Sequence, residues 1–355
     1  MDKCQVNVMM FGGRRCGKTS VIAAMKSCIE EQFGSHSNLI MTYDNATLDT
    51  ITKKEKEIRK FLSGNDKTFV PDENPSKGES EYYFDVSLKG KKGTISLMFV
   101  DYPGEYLTNR SKEDLLKSYV EKSNIFIIAI DTPMLMEEPD EADKDRIGRY
   151  NLDSNKPEVV CNTIKSVLKD RANSNIPPLI MFVPLKCEKY HNEKRMDEVN
   201  KKIHAAYRSL FNFFCGDNEN CFEVVIAPIL TFGENTAQFS RFEYDEKGNI
   251  LEDENGLPLK SVYIKISAKP VYSPMYCEQP LLYSLEYLLY VARKQKEAEQ
   301  MKRNWFTNFF KGLFDGFLKL PNAKDFMEQE QAIRQKLHKD DFGDGYEIVH
   351  NPMNL

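Results

Sequence analysis

Gly12-Gly13-Arg14-Arg15-Cys16-Gly17-Lys18-Thr19 is the stretch on which the reading of this chain turns. It matches G-x-x-x-x-G-K-[ST], a pattern whose glycines let the backbone wrap closely around an anion. An apolar run at 6–11 precedes it and a helical pattern at 19–32 follows, so the loop joins a strand to a helix as that chemistry requires. Successive N–H groups of such a loop point inward at a phosphate, and the helix behind it presents the positive end of its dipole. Lys18 adds a point charge for the β- and γ-phosphates of a nucleoside triphosphate, and the Thr19 hydroxyl offers an oxygen ligand for Mg²⁺. The expected phosphate-binding residues are Gly12, Gly13, Arg14, Arg15, Cys16, Gly17, Lys18, Thr19 and Ser20.

Strand-length apolar runs recur at 6–11, 82–88, 95–100, 125–130, 179–183 and 222–229. Helical patterns lie between them at 19–32, 47–62, 111–122, 159–172 and 194–214. Several runs lack period-2 alternation, as strands buried on both faces do. This alternation predicts an α/β fold of three layers, a P-loop sheet that is mostly parallel with helices on both faces. One pair departs from it. Runs 82–88 and 95–100 are joined only by Lys89-Gly90-Lys91-Lys92-Gly93, too short for a parallel crossover, so one strand runs antiparallel. Turn signals at Lys247-Gly248-Asn249 and Asn255-Gly256 predict a β-hairpin insertion at about 238–268 within a nucleotide-binding domain over 1–295. Residues 279–293 read as a core helix, and 296–355 as a C-terminal amphipathic helix and tail.

The 355 residues are 41% hydrophobic and 29% charged, which suits a globular protein with a large core and argues against general disorder. A formal net charge of −5 provides no positive field, so no nucleic-acid partner is expected. Eight cysteines form no CxxC pair and five histidines no HExxH, which leaves reduced thiols and no zinc signature. The apolar run after Met1-Asp2-Lys3 is too short for a signal peptide, and no stretch of roughly 18 apolar residues could span a bilayer. A cytoplasmic chain is expected.

The run 95–100 delivers Asp101 at its end, where a carboxylate holds Mg²⁺ directly or through water, and the chain continues Tyr102-Pro103-Gly104-Glu105. With the phosphate loop and the antiparallel strand, this D-x-x-G resembles the P-loop GTPases of the translation-factor and Ras-related (TRAFAC) class. The resemblance implies that the Gly104 N–H meets the γ-phosphate and that Glu105 stands where the class often has a water-orienting glutamine. It also implies a threonine between 62 and 82 that closes on Mg²⁺, for which Thr68 is the candidate and Ser76 and Ser80 compete. The class reads guanine with [NT]-K-x-D. Here Pro184-Leu185-Lys186-Cys187-Glu188 aligns Lys186 but puts Leu185 and Glu188 in place of the usual residues. By resemblance Lys186 and Glu188 bind the base, with Glu188 accepting two hydrogen bonds only if its loop retreats by about one methylene. Leu230-Thr231-Phe232-Gly233 stands where the class adds a backbone contact to the base. Residues 184–190 and 277–283 are also similar to a poorly characterised bacterial GTPase group linked to multi-gene conflict systems.

What the resemblance implies is a GTP-binding, Mg²⁺-dependent molecular switch with Lys18, Gly104 and Glu105 in catalytic positions and an unidentified protein partner. Turnover should be slow, because Glu105 brings negative charge towards the γ-phosphate. An ATPase or nucleotide kinase follows if Glu188 does not bind guanine, and a nucleotide-bound scaffold if hydrolysis is negligible. Arg14 and Arg15 either act in cis on developing charge or are solvated or paired with carboxylates. At helical spacing over 304–320, Trp305, Phe306, Phe309, Phe310, Leu313, Phe314 and Phe317 share one broad face behind a basic cluster. That helix either packs on the core or makes weak peripheral contact with a membrane surface or partner.

Overall fold

The computed structural model describes residues 3–33, 39–71, 78–88, 94–107, 109–137, 148–170, 177–215, 223–299 and 345–350. In chain order the first strands are β1 (Lys3–Phe11), β2 (Leu39–Tyr43), β3 (Thr68–Phe69), β4 (Ser80–Leu88), β5 (Thr94–Asp101) and β6 (Ile125–Asp131). They continue with β7 (Leu179–Leu185), β8 (Glu223–Ile226), β9 (Ala237–Phe242), β10 (Ser261–Lys265) and β11 (Glu347–His350). The first helices are α1 (Lys18–Phe33), α2 (Asn45–Ser63), α3 (Glu113–Lys122), α4 (Thr132–Met136) and α5 (Arg149–Ser154). After them come α6 (Pro157–Asp170), α7 (Glu188–Asn192), α8 (Met196–Ala206), α9 (Arg208–Cys215) and α10 (Gln279–Glu299).

Eight strands form the main sheet in the order β11-β8-β7-β6-β1-β5-β4-β2. From β5 through β1, β6 and β7 to β8 every pairing is parallel. β4 runs antiparallel to β5, with Ser80 opposite Asp101 and Val86 opposite Ile95, where the short 89–93 connection requires it. The expected mostly parallel sheet with an antiparallel part is therefore observed.

Side-chain alternation along buried strands splits the core in two. Val6, Val8 and Met10 face one side with Ile125, Ile127 and Ala129, under α1 and α10. Met9 and Phe11 face the other with Phe126, Ile128 and Ile130, under α3, α6, α8 and α9. Each such fully buried aliphatic side chain contributes roughly 1.5–3 kcal/mol relative to exposure, so the central strands anchor the loop that leaves them.

Besides β9 and β10 of the predicted insertion, three strands fall outside the apolar runs read from sequence. β2 pairs antiparallel with β4 at one edge, where Ile40 stays 43% exposed and no continuous apolar run is needed. β11, inside the tail assigned to 296–355, pairs antiparallel with β8 at the other edge and carries Tyr346 into the core beside Tyr283. A strand this short has too few residues to show a period; its pairing partner defines it. β3 joins β10 and β9 in a second sheet, so the hairpin insertion gains a strand from the 62–82 region. Phe69 of β3 stacks between Phe61 and Tyr263, and a third apolar cluster forms from Ile58, Leu62, Phe232, Phe239 and Tyr263. The helical pattern at 194–214 is divided at Tyr207 into α8 and α9. Ser76, residues 138–147 and the amphipathic segment 304–320 lie outside the described residues. Among the described residues no helix is long and apolar enough to cross a membrane.

Candidate functional site

β1 ends at Phe11 and α1 begins at Lys18, so the intervening loop opens at the C-terminal edge of the sheet, where ligands bind in open α/β folds. Two glycines there have no room for a side chain. A Cβ on Gly13 would overlap the carbonyl oxygen of Ser154 in α5, and one on Gly104 would overlap the Arg14 amide nitrogen. The D-x-x-G turn thus lies directly on the phosphate loop. Gly17 has φ +106°, a left-handed conformation that glycine adopts without strain.

Lys18 is buried, and its Nζ donates to Gly12 O at 3.0 Å and Gly13 O at 3.2 Å while standing 3.6 Å from Asp101 Oδ1. Burial opposes its charge, but neighbours including Cys16, Asp101 and Glu105 outweigh burial and raise its pKa. The Thr19 hydroxyl donates to Asp101 Oδ2 at 3.0 Å. This hydroxyl and carboxylate are hard oxygen donors side by side, a set that fits Mg²⁺. Among the described residues no three His, Cys, Asp or Glu side chains gather for a metal.

A cleft extends from this loop. Its walls include Asp101 to Glu105, α2 residues Lys54, Glu57, Ile58 and Phe61, and Lys186, Thr231, Phe232 and Tyr263. Asp44 caps the N-terminus of α2 by accepting from Thr47 N–H at 2.8 Å, which fixes where the helix begins. The structure brings Arg14 to Ser20, Asp101, Gly104, Glu105 and Lys186 into one cleft. It puts Thr68 elsewhere: exposed on β3, opposite Ile264, with Pro71 rather than Thr68 in the cleft wall.

The base-recognition loop departs from the simple expectation. Leu185 turns its methyl to the phosphate loop, 3.7 Å from where a Gly17 Cβ would stand, so an apolar contact takes the place of an amide tie. Lys186, with φ +57°, pairs with Asp131 Oδ2 at 2.8 Å. Glu188 is fully buried, accepts the Phe232 N–H at 3.0 Å on Oε1 and, among the described residues, leaves Oε2 without a hydrogen bond. Phe232 lines the cleft while Glu188 lies behind it, because the glutamate is long enough to reach the 230–233 main chain.

Burial pushes the Glu188 carboxyl up to about 7, against the pull of the Phe232 and Thr231 N–H groups and Lys186. Between its ordinary 4.5 and about 7 the folded chain holds a proton that the unfolded chain has released. Stability from this group is therefore complete below 4.5 and is lost as pH rises through about 7. The loss is roughly 3 kcal/mol. Glu188→Gln keeps the acceptor for Phe232 but cannot ionise, so its stability should fall less than the wild type's between about pH 5 and about pH 8. Denaturant melts across that range check this, and parallel pH slopes would remove Glu188 as the cause.

Two contributors were missed from sequence. Asp131 ends β6, caps α4 and holds Lys186, and its N–H donates to Asn155 Oδ1 at 2.8 Å. Its position at the end of a central apolar run, like that of Asp101, was a readable signal. Lys156, with φ +50°, feels the charges of Glu105 and Asp153 while burial lowers its pKa. Nothing in its local sequence pointed to the site.

Loop, Asp101 carboxylate and overlying glycine turn sit on the sheet as they do in P-loop nucleoside triphosphate-binding proteins, the class this fold and site define. Residues 7–219 match the Double-GTPase 2 family. That is more than half of the 355 residues, and the chain belongs to this family, which supports GTP binding at the general level. No curated protein matches the chain.

Proposed function

We propose that this protein is a Mg²⁺-dependent GTPase of the TRAFAC class that prefers GTP to ATP, hydrolyses it slowly and signals its nucleotide state to a protein partner. The observation that carries the reading is the packing of Gly104 on the phosphate loop beside Lys18, Thr19 and Asp101. A γ-phosphate entering that junction would part the two loops or bind them together, and a switch needs such a contact. The antiparallel β4 beside β5 supports the class.

In this reading the inward N–H groups of the loop and the α1 N-terminus hold the phosphates, with Lys18 as the point charge. Thr19 and Asp101 would hold Mg²⁺, which supplies charge neutralisation across the β- and γ-phosphates. The Gly104 N–H would meet the γ-phosphate and Glu105 would orient the attacking water. Glu105 remains the reason for slow turnover, its charge only partly offset by Lys18 and Lys156. The pairing of β3 with β10 supports transmission of movement in the 62–82 region to the 238–268 insertion. Residues 304–320 either pack on the core or make weak contact with a membrane surface or partner.

An ATPase is the second reading, favoured by the burial of Glu188 behind Phe232, away from the cleft wall. Calorimetric titration with GTP and with ATP, each with and without Mg²⁺, separates the two. The expected result is GTP binding at least about 100-fold tighter than ATP, from a main-chain contact of the 230–233 loop that adenine cannot satisfy. Equal affinities, or tighter ATP, would replace the GTPase reading with the ATPase one.

A further inference from the structure

The cleft wall carries cations at Arg14, Arg15, Lys18, Lys54 and Lys186. Four of these are engaged. Arg15 Nη1 donates to Leu259 O of the insertion at 3.1 Å, and Lys18 is held by two loop carbonyls and Asp101. Lys54 pairs with Glu57 at 3.1 Å and Lys186 with Asp131 at 2.8 Å. Arg14 is exposed and, among the described residues, has neither hydrogen bond nor ion pair. Its main chain is the part of the phosphate loop on which Gly104 rests, so its side chain starts at the junction of the two loops. The neighbouring carboxylate, Glu105, already lies in the fields of Lys18 and Lys156.

We propose that Arg14 is a catalytic residue acting in cis, its guanidinium neutralising the charge that develops on the γ-phosphoryl group during hydrolysis. The inference rests on the GTPase reading. In the step, a water oxygen bonds to the γ-phosphorus while the bond from that phosphorus to the β–γ bridging oxygen breaks. The electron pair of the broken bond stays on the bridging oxygen, which becomes a terminal β-phosphate oxygen of GDP. The water proton passes to the released phosphate or to solvent. Charge grows on the bridging oxygen and spreads over the γ oxygens, and a planar guanidinium can donate to two of these at once. A free guanidinium at the phosphate end of the cleft can turn onto that charge at the cost of its own rotamer freedom alone, whereas a paired one would first have to break its partner contact.

The test compares wild type, Arg14→Ala and Arg14→Lys in full-length protein by single-turnover GTP hydrolysis, GDP affinity and binding of aluminium fluoride in the presence of GDP. Arg14→Ala is expected to lower the hydrolysis rate at least about 100-fold, as loss of a transition-state charge contact does. GDP affinity should stay within about threefold, while the aluminium fluoride complex, which mimics the transferring phosphoryl group, is lost. Arg14→Lys should recover part of the rate, having the charge without the fork. An unchanged or faster rate in Arg14→Ala overturns the inference, and so does a parallel loss of GDP affinity with the rate preserved. Wild-type protein that binds GTP but neither turns over nor captures aluminium fluoride also overturns it, leaving nucleotide binding intact. Failure of wild type to bind GTP would instead bring down the underlying GTPase reading as well. Because Arg14 is an exposed loop residue, matching thermal melts are expected to show that the variants remain folded.

Discussion

Lys18→Ala is expected to weaken GDP and GTP binding at least about 100-fold, the largest effect of any single side chain in the cleft. The ammonium is held ready between two loop carbonyls and Asp101, so little ordering entropy is lost when phosphate arrives. Asp101, 2% exposed in the wild type, keeps the Thr19 hydroxyl as a hydrogen-bond partner in the variant but loses the ammonium, and its charge then repels the phosphates. Fluorescent-nucleotide titration reads the affinity, and a melt in the absence of nucleotide separates lost binding from lost folding. Wild-type affinity in a folded Lys18→Ala protein would show that this loop does not carry the phosphates.

Gly13→Ala is expected to be nearly as damaging, for a steric reason. The added Cβ would run into the main-chain carbonyl of Ser154, which cannot swing aside as a side chain can, so either the loop or α5 must shift. Such overpacking costs on the order of 3 kcal/mol, a fall in Tm of about 4 °C for a chain of this length. Nucleotide affinity should fall with it, since displaced N–H groups no longer converge on the phosphates. Gly78→Ala is the control: among the described residues nothing lies within 4 Å of a Cβ there, and little change is expected. Equal melts for the two variants would mean that the loop is not braced by α5.

Much of this arrangement was readable before any coordinates. The loop from Gly12 to Thr19, the buried parallel strands and the antiparallel β4 each follow from a few adjacent residues. So does Asp101, which the end of an apolar run delivers to the ligand edge of the sheet. The base-recognition loop was readable only in part. Resemblance to the family motif pointed to Lys186 and Glu188, but their partners, Asp131 and the Phe232 N–H, lie 55 and 44 residues away along the chain. No local pattern reveals which way a glutamate turns when one direction meets a main-chain donor and the other an open cleft.

The sequence by itself determined the class of site, because phosphate binding depends on backbone mechanics that glycines, a lysine and a threonine at set spacing encode locally. Tertiary structure alone decided what surrounds that site. The packing of Gly104 on Arg14, the bracing of Gly13 by Ser154, the recruitment of β3 to the insertion and the insertion of β11 at the sheet edge join segments distant in sequence. Their physical basis is the burial of apolar and main-chain groups that each segment would leave exposed alone, and that quantity exists only once the segments meet.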